Sequence, residues 1–288
     1  MDERAKASVA LLGVKGGPAI WPGSNMPTST LLRLGGLTIL VDAGLGVTRG
    51  ICDQGVALTE IDLIVITHLH SDHYLELGAF FHTAWTAGLK TPIPVIGPAG
   101  LDDYWQGFLR SMAFDIDLRV ADEGRPALVE LAEISEICEG EIFGRDGVTI
   151  TALRNQHPPI EDSFALSFAT ASHKIVLSGD TTAFDGMIEF SRGADLLVHE
   201  VLLEAGVDAL CARLNYPDDR LKRHLLRSHT TAPDVGRIAH EAGVRHLAVN
   251  HFVPGADSSF GPDDWTAAIR QTWGGPLTLG TDGLKIDV

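Results

Sequence analysis

A chain of 288 residues with 45% hydrophobic side chains is long enough for one large domain with a sizeable core, or two smaller ones. Its 38 acidic and 22 basic residues give a formal net charge of −16, which repels polyanions and argues against nucleic acid as a partner, because phosphate recognition uses a basic stripe. The three cysteines, Cys52, Cys138 and Cys211, show no CxxC spacing and suit a reducing cytoplasm, and no apolar run is long enough to span a membrane.

The first residues, MDERAKASVALLGV, do not read as a signal peptide. Residues 7–14 read as a strand, followed by a Gly- and Pro-rich loop, KGGPAIWPGSNMPTS. TLLRL and LTILV flank a Gly-Gly turn as two strands, and DLIVI at 62–66 is a short buried strand. Residues 75–88 and 99–112 are predicted helices, with IPVIG as a strand between them. From about residue 114 to 147 the acidic segment reads as short strands and loops. VTITAL and FALSFAT alternate as half-buried strands, and HKIVLSG and ADLLVHE are short buried ones. TTAPDVGRIAHEAG is a helix with a Thr or Ser start and a Gly stop, HLAVNH a strand, and PDDWTAAIRQTW a helix. LTILVDAGLG (37–46) and HKIVLSGDTT (173–182) echo one another as an apolar strand running into an acidic turn. Two αβ halves, roughly 1–150 and 151–288, are therefore expected within a single domain spanning 1–288, built as two sheets covered by helices.

The chemistry concentrates in THLHSDH, where His68, His70, Asp72 and His73 follow the strand at 62–66. Imidazole and carboxylate are the ligands that borderline dications prefer. Residues i and i+2 of an extended segment point the same way, so His68 and His70 can converge on one ion. Asp72 and His73, past a tight turn, can face a second.

This segment resembles the HxHxDH signature of the metallo-β-lactamase superfamily. The resemblance runs along nearly the whole chain: an LGxxGGP start, the VDAG turn, an isolated His157 in RNQHPP, Asp180 in LSGDT and His251 in VNHFVP come in the family's order. It implies an α/β fold, an αβ/βα four-layer sandwich of two mixed β-sheets flanked by helices, with two metals at the sheet edges. His68, His70 and His157 would hold one metal, Asp72, His73 and His251 the other, and Asp180 would bridge them. Two Zn²⁺ per chain are the first choice because nitrogen ligands dominate, with Mn or Fe as alternatives. The diiron flavoprotein branch usually carries an acidic residue where this chain has His70, which favours a hydrolase.

LLVHE, with His199 and Glu200, and RSHTTAPDVG, with His229, resemble the ribonuclease Z-like group. There a histidine beside the metals pairs with a glutamate, so His229 would donate a proton to the leaving group or stabilise the charged intermediate, and Glu200 would hold its tautomer and raise its pKa. Asp72 would orient the nucleophile while ligating, Asp42 would support the site from below, and His199 would pack or back a ligand rather than act in catalysis. Enzymes of this group that process tRNA carry a long protruding arm, in many of them between the equivalents of His157 and Asp180, which here are only 23 residues apart. The expected activity is therefore hydrolysis of a small-molecule ester, with phosphodiester and sulfate ester (arylsulfatase-like) leading. Attack at a carbonyl (lactone, amide or β-lactam) and RNA processing are the alternatives. A cytoplasmic homodimer without membrane or nucleic-acid partners completes the expectation.

Residues weighed for substrate contact are Trp21, Asn25 and Met26 in the first loop, Tyr104, Trp105, Phe108, Met112 and Phe114 on one predicted helix, and Phe252 and Phe260 near the last ligand. The aromatic helix reads somewhat better as packing on the core or on a second subunit. Arg154 is the arginine nearest a ligand. His82, His173, His224, His240 and His246 match no motif position and read as surface or supporting residues.

Overall fold

A computed structural model describes residues 7–215, 218–255 and 259–288. Two seven-stranded mixed sheets lie face to face. The first contains β1 (Ser8–Gly13), β2 (Ser29–Leu34), β3 (Leu37–Val41), β4 (Leu63–Val65), β5 (Ile93–Gly97) and β6 (Ala132–Glu136). The second contains β7 (Gly140–Arg145), β8 (Val148–Arg154), β9 (Phe164–Ala169), β10 (Lys174–Leu177), β11 (Leu196–Leu202), β12 (Leu247–Val253) and β13 (Leu277–Leu279). β14 (Leu284–Asp287) returns to the first sheet and pairs antiparallel with β1.

The two sheets share a plan. Three antiparallel steps, β14-β1-β2-β3, are followed by three parallel steps, β3-β4-β5-β6. The second sheet repeats this as β7-β8-β9-β10 and then β10-β11-β12-β13. Strands β3 and β10, the two members of the internal echo, hold the same central place at the change from antiparallel to parallel.

Side chains such as Ile39, Val41, Ile150, Phe164, Leu166 and Val198 fill the space between the sheets. The outer face of the first sheet is covered by α1 (Val47–Asp53), α3 (Leu77–Thr86) and α4 (Leu101–Glu123), with α2 (Ser71–Tyr74) a single turn at its edge. The outer face of the second is covered by α5 (Asp185–Ser191), α8 (Ala232–Ala242) and α9 (Pro262–Ile269). The four layers explain why β4 and β11 are buried along their whole length and β10 from Ile175 onward, since both of their faces are covered. α8 starts and stops as its sequence predicts, with the Thr231 side chain accepting from the Asp234 amide and Gly243 taking the left-handed conformation at φ 62°.

The segment after residue 114 differs from expectation. α4 runs to Glu123, and its second half turns Ile116 toward the core while leaving Phe114 86% exposed. Between Glu200 and His229 a helical hairpin, α6 (Glu204–Leu214) and α7 (Arg220–Ser228), rests on a small apolar cluster of Leu202, Val207 and Val253. Among the described residues, no helix is long and apolar enough to cross a membrane.

Candidate metal centre

The first half of the site is built by the segment after β4. The chain stays extended through His68 and His70, then turns into α2, which carries Asp72 and His73. Asp42, directly after β3 and at φ 62°, anchors the run. Its carboxylate accepts from the Thr67 amide (2.8 Å) and the Thr67 hydroxyl (2.9 Å), and meets His73 Nδ1 at 2.7 Å. That last contact leaves His73 Nε2 to face inward, buried and without a hydrogen-bond partner.

The second half supplies His157, Asp180 and His251. His157 Nδ1 donates to the Ser228 carbonyl at the C-terminus of α7 (2.7 Å), leaving Nε2 free to face the site. Asp180 lies on the turn after β10, where Asn155 Nδ2 donates to the carbonyls of Ser178 (2.7 Å) and Asp180 (3.1 Å). Only glycine fits at 179, at φ 56°, because a Cβ would stand 2.5 Å from the Phe164 carbonyl oxygen. His251 is the extra residue of a bulge: Asn250 pairs with Glu200 and Phe252 with Val201. The bulge, with His251 at φ 43°, aims its ring at the site rather than along the pleat.

Together these elements make two adjoining donor sets. One donor atom each from His68, His70, His157 and Asp180 lie within 4.8 Å of one another, and so do those of Asp72, His73 and His251. His70 Nδ1 lies 3.1 Å from His68 Nε2 and 3.0 Å from His157 Nε2. Asp180 Oδ2 is common ground, 3.7 Å from His68, 3.9 Å from His157, 3.5 Å from His73 and 3.1 Å from His251. Asp72 Oδ2 is 3.6 Å from His73 Nε2 and 3.4 Å from His251 Nε2. Buried nitrogen lone pairs and carboxylate oxygens converging on shared points, one of them unpartnered, suit cations held between them. Burial lowers the His157 pKa to about 4 and pushes that of His68 well below the imidazole range, favouring the neutral ring that binding a cation would require, whereas the Asp180, Asp42 and Asp72 carboxylates outweigh burial and raise that of His73. Burial alone would raise the Asp72 pKa, but His73 and His251 hold its carboxyl below the usual range.

Beside the donors stands a buried pair. His229 Nδ1 lies 3.0 Å from Glu200 Oε2, and Glu200 Oε1 accepts from the Thr181 amide at 2.8 Å. Burial opposes protonation of His229, yet Glu200 outweighs it and the pKa rises to about 9. A donor nitrogen of His229 comes within 4.8 Å of Asp180 and His251, so its free edge faces the site.

A cleft of about 460 Å³ opens over the donors, between the loop bearing Trp21 and the α6–α7 hairpin. Trp21 thus stands where the sequence placed it. The other substrate candidates lie elsewhere: Asn25 and Phe260 line a separate depression, and Met26 packs under Gly46. Phe252 meets Trp265 at 4.9 Å, and Trp105 is buried against Phe81. Arg154 is engaged by Asp162 and the Glu161 carbonyl. His199 is fully buried in β11, its Nδ1 against the Glu200 carbonyl oxygen, as packing requires. Two cleft residues escaped the sequence reading. His224 lines the wall on α7, its ring 6.2 Å from His70, and Lys15 lies buried at the opposite side. The spacing of Leu221, His224 and Leu225 on one helical face was the signal for the former.

A family model described as Anti-Pycsar protein Apyc1 matches residues 8–251. The ribonuclease Z of Mycolicibacterium gilvum (strain PYR-GCK) is 31% identical over 283 residues, covering 97% of this chain and 96% of that protein. The chain belongs to the Apyc1 family, in the ribonuclease Z-like branch of the metallo-β-lactamase superfamily. Solved structures carry the same fold at lower identity. The metallo-β-lactamase fold protein YhfI from Bacillus subtilis superposes with a TM-score of 0.71 at 21% identity, covering 98% of this chain and 100% of that one. A diphosphatase of the PhnP family superposes with a TM-score of 0.65 at 17% identity, over 98% of both chains. Membership makes this chain a metallo-hydrolase.

Proposed function

We propose that this chain is a dinuclear zinc hydrolase of a small phosphodiester, with His68, His70 and His157 around one ion, Asp72, His73 and His251 around the other, and Asp180 between them. The observation that carries this reading is the position of Asp180 Oδ2, within 3.9 Å of histidines from both donor sets. Bound zinc, with manganese or iron as alternatives, would lower the pKa of a shared water toward about 7 and draw charge from the ester. The residues of the chain do the rest. Asp72 orients the attacking water. His229 gives the proton on its free nitrogen to the departing oxygen while Glu200 holds the other nitrogen, which matters most for poor leaving groups. Trp21 and the leucines of α6 and α7 shield the site and receive the organic group.

Phosphorus is preferred because both a ribonuclease Z and a diphosphatase stand among the similar proteins. The small size of the substrate is supported by the net charge of −16 and by β9 and β10 filling the interval between His157 and Asp180. The ribonuclease Z relative favours RNA as a second reading. We further read residues 1–288 as one catalytic unit acting in the cytoplasm. A homodimer would join through the exposed Phe114 and Leu118 of α4.

The test is parallel assay of the zinc-loaded protein with bis(p-nitrophenyl) phosphate, p-nitrophenyl sulfate, a lactone panel and a precursor tRNA bearing a 3′ trailer. Turnover of the phosphodiester above the other three is the expected result. Faster cleavage of the lactones, or efficient removal of the trailer, sinks the preferred reading.

A further inference from the structure

Lys15 is a lysine with only 2% of its surface exposed, lining the cleft beside Asp72. A buried ammonium needs partners, and here they are backbone carbonyls and an aromatic ring. Its Nζ donates to the Gly16 carbonyl (3.0 Å) and to the Gly17 carbonyl, and lies 5.4 Å from the centre of the Trp21 ring. The same two glycines touch the second donor set. The Gly17 amide donates to Asp72 Oδ2 at 2.7 Å. Gly16 lies so close to His251 that a Cβ would stand 2.9 Å from its ring. The segment is tied to the far end of its own loop and to β12, since the Lys15 amide donates to the Met26 carbonyl (2.9 Å) and the Gly16 amide to the Phe252 carbonyl (3.1 Å). Gly17 takes φ 80°, so its peptide can turn the carbonyl toward Lys15 and the amide toward Asp72.

We propose that Lys15 is a positioning residue: by gathering the Gly16 and Gly17 carbonyls it holds the Gly16–Gly17 turn against Asp72 and His251, and so sets the second donor set while placing Trp21 at the cleft mouth. The ligand part of this inference rests on the metal assignment proposed above. Its sign comes from the contacts. Without the ammonium, two carbonyls lose their donor and the Gly17 peptide is released to rotate. Asp72 Oδ2 then loses the amide that orients it toward His73 and His251. The first donor set, His68, His70 and His157, touches this turn at none of the contacts named above and keeps its hold.

The experiment uses Lys15→Met, which matches the stem in length and removes the charge, with Trp21→Leu as its control. Hydrogen exchange on the metal-free proteins reads the turn directly. In Lys15→Met, peptides covering residues 14–24 should exchange faster by about tenfold or more, with β10 and β11 unchanged. Zinc retention under a competing chelator reads the consequence. Lys15→Met should give up one of two equivalents at a chelator concentration about tenfold lower than the parent needs, while the other equivalent stays. Trp21→Leu should retain both. Unchanged exchange over 14–24, acceleration spread across both sheets, or equal weakening of both equivalents overturns the inference. A parent that binds no zinc overturns the metal assignment and the ligand part with it, and the exchange arm still decides whether Lys15 holds the turn.

Discussion

The two halves of the molecule use one backbone device for two chemical purposes. In the first half, the residue after β3 is Asp42, and it accepts the amide of Thr67, two residues past the end of its pairing with β4. In the second, the residue after β10 is Ser178, and its hydroxyl accepts the amide of Glu200, at the matching place on β11. The distances, 2.8 and 2.9 Å, are nearly equal. What differs is where the remaining polar atoms go. Asp42 gives its oxygens to Thr67 and His73 and becomes the support of a histidine. The second turn delivers Asp180 instead, whose Oδ2 faces histidines of both donor sets, while Glu200 backs His229. A carboxylate consumed by protein donors is scaffold, and one left facing lone pairs is available to a cation. The fold supplies the place and the neighbours supply the role.

This contrast can be broken by substitution. Asp180→Ala should reduce phosphodiesterase activity on the order of a thousandfold or more and leave at most one zinc per chain by metal analysis. His229→Ala should cost roughly a hundredfold or more with zinc content unchanged, and the loss should be greater for an alkyl than for a p-nitrophenyl leaving group. Asp42→Asn, on the opposite turn, should weaken zinc affinity by about ten- to a hundredfold through His73 without abolishing turnover of the saturated enzyme. If Asp42→Asn proved as damaging as Asp180→Ala under zinc saturation, the distinction between scaffold and ligand would fall. The smallest effect concerns pH. Glu200 raises the His229 pKa to about 9, so the acid form persists to mildly alkaline pH and the rate falls above it. Glu200→Gln removes the carboxylate charge, lowers that pKa, and should move the alkaline limb of kcat down by about one unit or more. An unmoved limb assigns it to another group.

The clustered histidines and carboxylates proposed as ligands were legible because ligand chemistry is local. His68, His70, Asp72 and His73 lie within six positions, Asp180 follows the apolar run of β10 in LSGDT, and His157 and His251 stand in the short motifs RNQHPP and VNHFVP. The cleft was not legible, because its walls come from segments whose local pattern says nothing of what they cover. Trp21 reached the cleft, but Phe252 turned to Trp265 even though it follows His251 directly, since the bulge sets Phe252 opposite Val201, whose side chain packs in the outer cluster with Trp265. The helix carrying Tyr104 and Trp105 packs on its own sheet, where aromatic side chains at helical spacing find their burial. The second half of α4 was missed because its polar and branched residues mask the i, i+4 spacing of Phe108, Met112, Ile116 and Val120. Lys15 was passed over because a lysine in a Gly-rich loop ordinarily points to water, and only the tertiary contacts of Gly16 and Gly17 show otherwise.

The proposed ligands come from both sides of the sandwich: His68, His70, Asp72 and His73 from the run after β4, His157, Asp180 and His251 from the second sheet. Ions seated among them would act as rivets between the halves. By mass action, whatever binds the folded chain and not the unfolded one stabilises it, and more so as its free concentration rises. A chelator would therefore act on this chain as a denaturant without touching a single hydrogen bond, and zinc supply would govern how long the protein survives as well as how fast it works.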